Sequence, residues 1–168
     1  MYFRVQLSDM GKNTKNSLIT EEPVLAYGYA NFTPLGVMMG GLSETPSDFD
    51  LVNLARTGIS KKSLLALAKK ISLTIDEIST VLHISERTLQ RYTPATLVKT
   101  EHADKAIELA RLYERGTTVL GSESEFNTWM RTPNHALNNE IPLDLLDTSI
   151  GFDLILQVLG RIEYGVFS

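Results

Sequence analysis

Between Leu73 and Tyr92 the chain reads LTIDEISTVLHISERTLQRY, and this stretch holds two helix-start signals with room between them only for one short helix and a turn. Thr74 and Glu77 form a T-x-x-E capping box, in which hydroxyl and carboxylate each satisfy a backbone N–H that the first helical turn leaves free. Leu73 and Ile78 stand where a hydrophobic staple requires them. The second signal is Ser85, an N-cap residue bracketed in turn by Ile84 and Leu89. A helix begun after Thr74 must therefore end near His83. Ile75, Ile78 and Leu82 are expected to form its buried stripe, while Leu89 and Tyr92 face inward from the helix that follows. Pro94 ends that second helix. Two short helices joined by so tight a turn make a helix-turn-helix unit.

The rest of the chain is read outward from this unit. Upstream, SKKSLLALAKKI places Leu64, Leu67, Ala68 and Ile71 on one helical face, with Ser60 as its cap. Downstream come EHADKAIELARLYERGTTVLG, SESEFNTWM, PLDLLD and SIGFDLILQVLGRIEYGVF, all of helical pattern, with Pro142 at a first helical turn. Ile150, Leu154, Val158 and Ile162 recur every four residues and are expected to define one buried face. Trp129 is expected to anchor a core. The predicted architecture is all-α, with a helix-turn-helix module over 58–99 and a second helical unit over 100–168. Residues 1–57 read as a poorly patterned arm, irregular apart from one short element near Tyr2–Leu7 or Pro34–Met39.

Net charge is −4, but it is unevenly spread. Gly58 to Thr100 carries seven Lys/Arg against three acids, whereas Glu101 to Ser168 carries five against eleven. A basic middle suits phosphate, and an acidic end suits a different, basic partner. Arg87 and Arg91 have the side chains that bond guanine or phosphate, and Gln90 has the pair of bonds that adenine accepts and donates. Ser85 and Thr88 suit a backbone phosphate, while Lys61 and Lys62 on the preceding helix would add salt-sensitive affinity. The same residues also fit a plain bundle whose polar face is only solvated. One module offers too little interface for tight binding, so a homodimer is expected.

Other chemistry finds no footing in the sequence. There is no cysteine, and His83, His102 and His135 are scattered, so no metal site is expected. Phosphate-binding loops and nucleophile elbows are missing, which predicts a protein that is not an enzyme and needs no cofactor. The opening MYFRVQLSDMGKN has no signal-peptide pattern, and no window reaches about 18 apolar residues. A cytoplasmic protein without membrane contact is expected.

Three blocks, GISKKSLLALAKKISLTIDEISTVLHISERTLQRY, WMRTPNHALNNEIPLDLLDT and GRIEYGVFS, resemble in that order the Xre/MbcA/ParS family of antitoxins. The resemblance runs from about Gly58 to Ser168 and does not reach the first 55 or so residues. It implies an Xre-like DNA-reading module followed by a toxin-binding domain, in an antitoxin that inhibits a RES-domain, NAD⁺-consuming toxin. It also implies a dimer that represses its own operon at operator DNA. On this sequence the DNA-reading candidates are Ser85, Arg87, Thr88, Gln90 and Arg91. The toxin-facing candidates are Arg161, Glu163, Tyr164, Gly165, Val166, Phe167 and Ser168, the end of the chain lying at the toxin's active-site entrance. From the residues alone, Val166 and Phe167 equally suit folding back over the last helix. A free-standing regulator whose C-terminal unit dimerises or senses a ligand is the alternative, as is a helix-turn-helix that serves only dimerisation.

Overall fold

In the computed structural model the described residues are 32–41 and 46–166. They form eight α-helices and two 3-10 turns, with no strand among them and only two isolated bridges, Ser60–Leu97 and Asn134–Glu140. The fold is all-α, as the periodicity predicts. Tyr2–Leu7, Phe167 and Ser168 lie outside the described residues.

Helix α1 (Pro34–Met38) starts at Thr33, whose hydroxyl accepts from the Gly36 N–H at 3.1 Å. A distant carboxylate helps it: Glu114 Oε1 accepts from the Leu35 N–H at 3.0 Å. Helix α2 (Asp48–Thr57) opens on a Ser47/Asp50 capping box. The Ser47 hydroxyl and N–H hold the Asp50 carboxyl below its usual range. Leu35, Val37, Met38, Leu51 and Ala55 are all buried. The sequence pattern predicts irregular structure for most of this stretch. The structure instead folds it into two helices, the second of them unforeseen because its apolar residues do not lie on one face: Leu51 and Ala55 are buried while Phe49 and Val52 are exposed.

Helices α3 (Lys61–Lys70), α4 (Ile75–Leu82) and α5 (Glu86–Arg91) begin at Ser60, Thr74 and Ser85, as their caps predict. Both halves of the Thr74/Glu77 box are made, at 2.7 and 3.2 Å. One expectation about α4 needs correcting: Ile75 is 40% exposed, and the buried face is Ile78, Val81 and Leu82 with Ser79. Ile75 is the first residue of the helix and stays at its exposed end.

Helix α6 (Thr100–Leu120) is the spine of the molecule, 21 residues and so about 30 Å long. Helices α1, α2, α4, α7 and α8 all pack against it. His102 Nδ1 lies 2.7 Å from the Leu82 carbonyl of α4, and Arg111 pairs with Asp48 of α2. Gly116 lies under the Phe126 ring of α7 (Glu123–Met130). Burial pushes the phenol of Tyr113 above its usual range, its ring meeting Phe126 edge-on at 4.9 Å. Trp129 stacks on the other side of Phe126 at 5.9 Å, half-buried at the margin of the core. After 3-10 turns at His135–Leu137 and Pro142–Asp147, α8 (Ser149–Glu163) runs beside α6. Lys105 Nζ sits 4.4 Å over the Phe152 ring, and Arg115 pairs with Glu163 at 3.2 Å.

The four-residue ladder on α8 also needs correcting. Phe152, Ile155, Val158 and Leu159 are the buried residues, while Ile150 is 73% and Leu154 41% exposed. At 3.6 residues per turn a step of four advances about 40°, so Ile150 and Ile162 stand about 120° apart. Only the far end of that ladder faces the core.

Candidate functional site

Two surfaces carry the predicted binding residues. The first is α5 and the turn before it. His83 takes left-handed backbone angles (φ 54°, ψ 36°), which reverses the chain in a single residue and keeps the imidazole exposed. Ile84 and Leu89 are buried, so α5 is fixed on its inner side. Arg87, Gln90 and Arg91 are exposed on its outer side, with Thr88 half-buried. Ser85 is committed locally: its hydroxyl accepts from the Thr88 N–H at 3.1 Å and meets the Thr88 hydroxyl at 2.8 Å.

Lys61 departs from expectation. Its ammonium donates to the Tyr92 carbonyl at 2.8 Å and the Gln90 carbonyl at 3.3 Å. It therefore neutralises the C-terminal end of α5. Lys62 is exposed beside it. Lys70 pairs with Glu123 at 3.1 Å, and Arg131 donates to the Ser72 carbonyl and the Glu77 carboxylate at 2.9 and 3.1 Å. These contacts join residues 29 to 59 positions apart, so no local pattern could announce them.

The second surface is the end of α8. Tyr164 N–H reaches the Gly160 carbonyl, Gly165 N–H the Ile162 carbonyl and Val166 N–H the Arg161 carbonyl at 2.8 Å. With Gly165 at φ 66°, this is a Schellman turn, whose left-handed position favours glycine. Such turns usually bury an apolar residue at the position of Val166. Here Val166 is 53% and Tyr164 79% exposed, so Val166 does not fold back over α8. Arg161 and Glu163 are exposed on the same turn, Glu163 in its pair with Arg115.

Among the described residues no cluster of His, Cys, Asp and Glu could hold a metal ion, and no helix is long and apolar enough to cross a membrane. Residues 50–111 match the sequence profile of the antitoxin Xre-like helix-turn-helix domain, and residues 115–165 that of the antitoxin Xre/MbcA/ParS C-terminal toxin-binding domain. The chain belongs to the Xre/MbcA/ParS antitoxin family. This antitoxin is 28% identical over 120 residues to Antitoxin Xre of Yersinia enterocolitica, covering 70% of this chain and 81% of that protein. It is 27% identical over 100 residues to the mycobacterial cidal antitoxin MbcA of Mycobacterium tuberculosis, covering 59% and 87%. A chain in the crystal structure of the M. tuberculosis MbcT–MbcA toxin–antitoxin complex aligns at a TM-score of 0.48 and 22% identity, over 64% of this antitoxin and 96% of that chain. Ser85, Arg87, Thr88, Gln90, Arg91, Lys61 and Lys62 fall within the first matched domain. Arg161 to Gly165 fall within the second, and Val166 one residue beyond it.

Proposed function

We propose that this antitoxin silences a RES-domain, NAD⁺-consuming toxin with its C-terminal unit, the tail Arg161–Ser168 lying across the toxin's active-site entrance. In the same reading the unit around α5 represses the antitoxin's own operon as a dimer, with Arg87, Gln90 and Arg91 facing the major groove. The exposed tail carries the proposal. An apolar Tyr164 and Val166 around a glycine turn, held out from the helix they could have covered, have the form of a segment that fills a partner's pocket. The acidic C-terminal unit suits a site that binds phosphates, and the basic surface near α5 suits DNA. Lys62 is the phosphate contact in this scheme, and Lys61 holds α5 in position.

The test is growth and cellular NAD⁺ when the neighbouring toxin gene is expressed beside the full-length antitoxin or a chain ending at Gly160. Rescue by the full-length protein alone is expected. Rescue by both would remove the tail from the inhibitory machinery, and rescue by neither would favour a free-standing regulator.

A further inference from the structure

Within residues 100–166 the exposed large apolar residues are Ile150, Leu154, Tyr164 and Val166. All four lie on α8 or its Schellman turn. With α8 advancing about 100° per residue, Ile150, Leu154, Arg161 and Tyr164 project within about 80° of one another. They form one strip along the outer side of the helix, opposite Phe152, Ile155 and Leu159. From Ile150 through Tyr164 this strip lies inside the residues that match a toxin-binding domain. Its near end is flanked by acids: Asp147 precedes the helix and Asp153 lies beside Leu154, both exposed.

We infer that the part of this strip before the tail, Ile150 and Leu154, is the surface that grips the toxin, and that the tail from Arg161 onward blocks the active site without supplying most of the affinity. This rests on the antitoxin reading above. The physical ground is the contrast within one helix. An isoleucine 73% exposed beside a leucine 41% exposed, one turn apart, is apolar area left open on a helix whose other side buries Phe152, Ile155 and Leu159 fully. Apolar anchors of this kind dominate binding energy when they enter a partner's pocket. The tail leaves on the same side of α8, with Gln157 and Arg161 between, so a toxin seated on Ile150 and Leu154 meets Tyr164 and Val166 further along the helix. Asp147 and Asp153 call for a toxin surface that is apolar in the middle and basic at the rim. Grip and blockade are then separable functions of one helix.

The experiment measures binding of the purified neighbouring-gene product to four full or trimmed antitoxins: wild type, I150E, L154E and the chain ending at Gly160. Each is also run alone by sedimentation velocity and thermal melting. Ile150 is the second residue of α8, where an acidic side chain complements the helix dipole, so I150E leaves folding intact. Expected are a Kd about a hundredfold weaker or more for I150E and for L154E, against less than about tenfold for the trimmed chain. If wild type binds and both Glu variants bind equally well, the strip is overturned while the antitoxin reading stands. If wild type binds no toxin, the antitoxin reading falls and the strip with it. If the Glu variants change the size of the antitoxin alone, a second copy of this chain covers the strip and the inference is wrong.

Discussion

Two glycines on α8 predict opposite outcomes for the same substitution. Gly151 is buried where α8 meets the 3-10 turn before it. A Cβ there would stand 1.7 Å from the Leu145 carbonyl oxygen and 2.6 Å from its carbon. Those are backbone atoms, and no rotamer change moves them. Relief requires shifting the turn that sets Leu143 and the fully buried Leu146 into the core. Overpacking of this kind costs about 1–3 kcal/mol and more when backbone must move, set against the helix preference of Ala over Gly, at most about 1 kcal/mol. The net expectation for Gly151→Ala is a loss of about 2 kcal/mol or more. At about 2–4 °C per kcal/mol for a chain of this size, Tm falls by about 4–8 °C or more. At Gly160 the nearest atom is the far end of the Arg115 side chain at 3.4 Å, which can swing aside. Gly160→Ala should then gain about 0.5–1 kcal/mol and raise Tm by about 1–4 °C. Melts followed by circular dichroism at 222 nm, with urea titration as a check, decide the matter. Equal signs for the two variants, or a neutral Gly151→Ala, would refute the reasoning.

Adjacent lysines should separate in a DNA-binding assay: Lys62→Ala lowers the salt slope of affinity by about one, whereas Lys61→Ala leaves the slope and weakens all sequences alike by loosening the end of α5. Arg131→Ala removes the bonds to Ser72 and Glu77, and with both partners part-exposed it should lower stability by about 1 kcal/mol, less in 1 M salt. Burial, with Asp104 and Asp153 nearby, raises the Glu108 carboxyl above its usual range despite Lys105. The folded protein then holds this proton more tightly than the unfolded chain, so the stability Glu108 contributes is fully present below pH about 4 and is lost as pH rises through the raised value. Glu108→Gln should therefore raise Tm at pH 7 and change it little at pH 4, as paired thermal scans would show.

What the sequence discloses is what a few neighbouring residues decide among themselves. Ser60, Thr74 and Ser85 cap their helices because each hydroxyl bonds a backbone N–H three residues on, an event complete within one turn. The helix-turn-helix unit and the polar outer side of α5 follow from those caps. Ile150 and Leu154 mislead because spacing gives a face but not what lies opposite it. Nothing local distinguishes Lys61 from Lys62; the carbonyls that receive Lys61 belong to a helix about 30 residues later. Helix α2 is an exception: its Ser47/Asp50 capping box is as local as the others, and only its packing by Leu51 and Ala55 against α6, some 50 residues away, is not.

The long α6 has one more consequence. The two family profiles stop and start at residues 111 and 115, both inside this one unbroken helix. A recombinant that exchanges the toxin-binding half of one antitoxin for that of another has to be spliced within a helical rod, not at a flexible joint. A junction shifted by one residue would rotate the second half by about 100° and carry Phe152 away from Lys105. Partner specificity can therefore be swapped between such proteins only in helical phase.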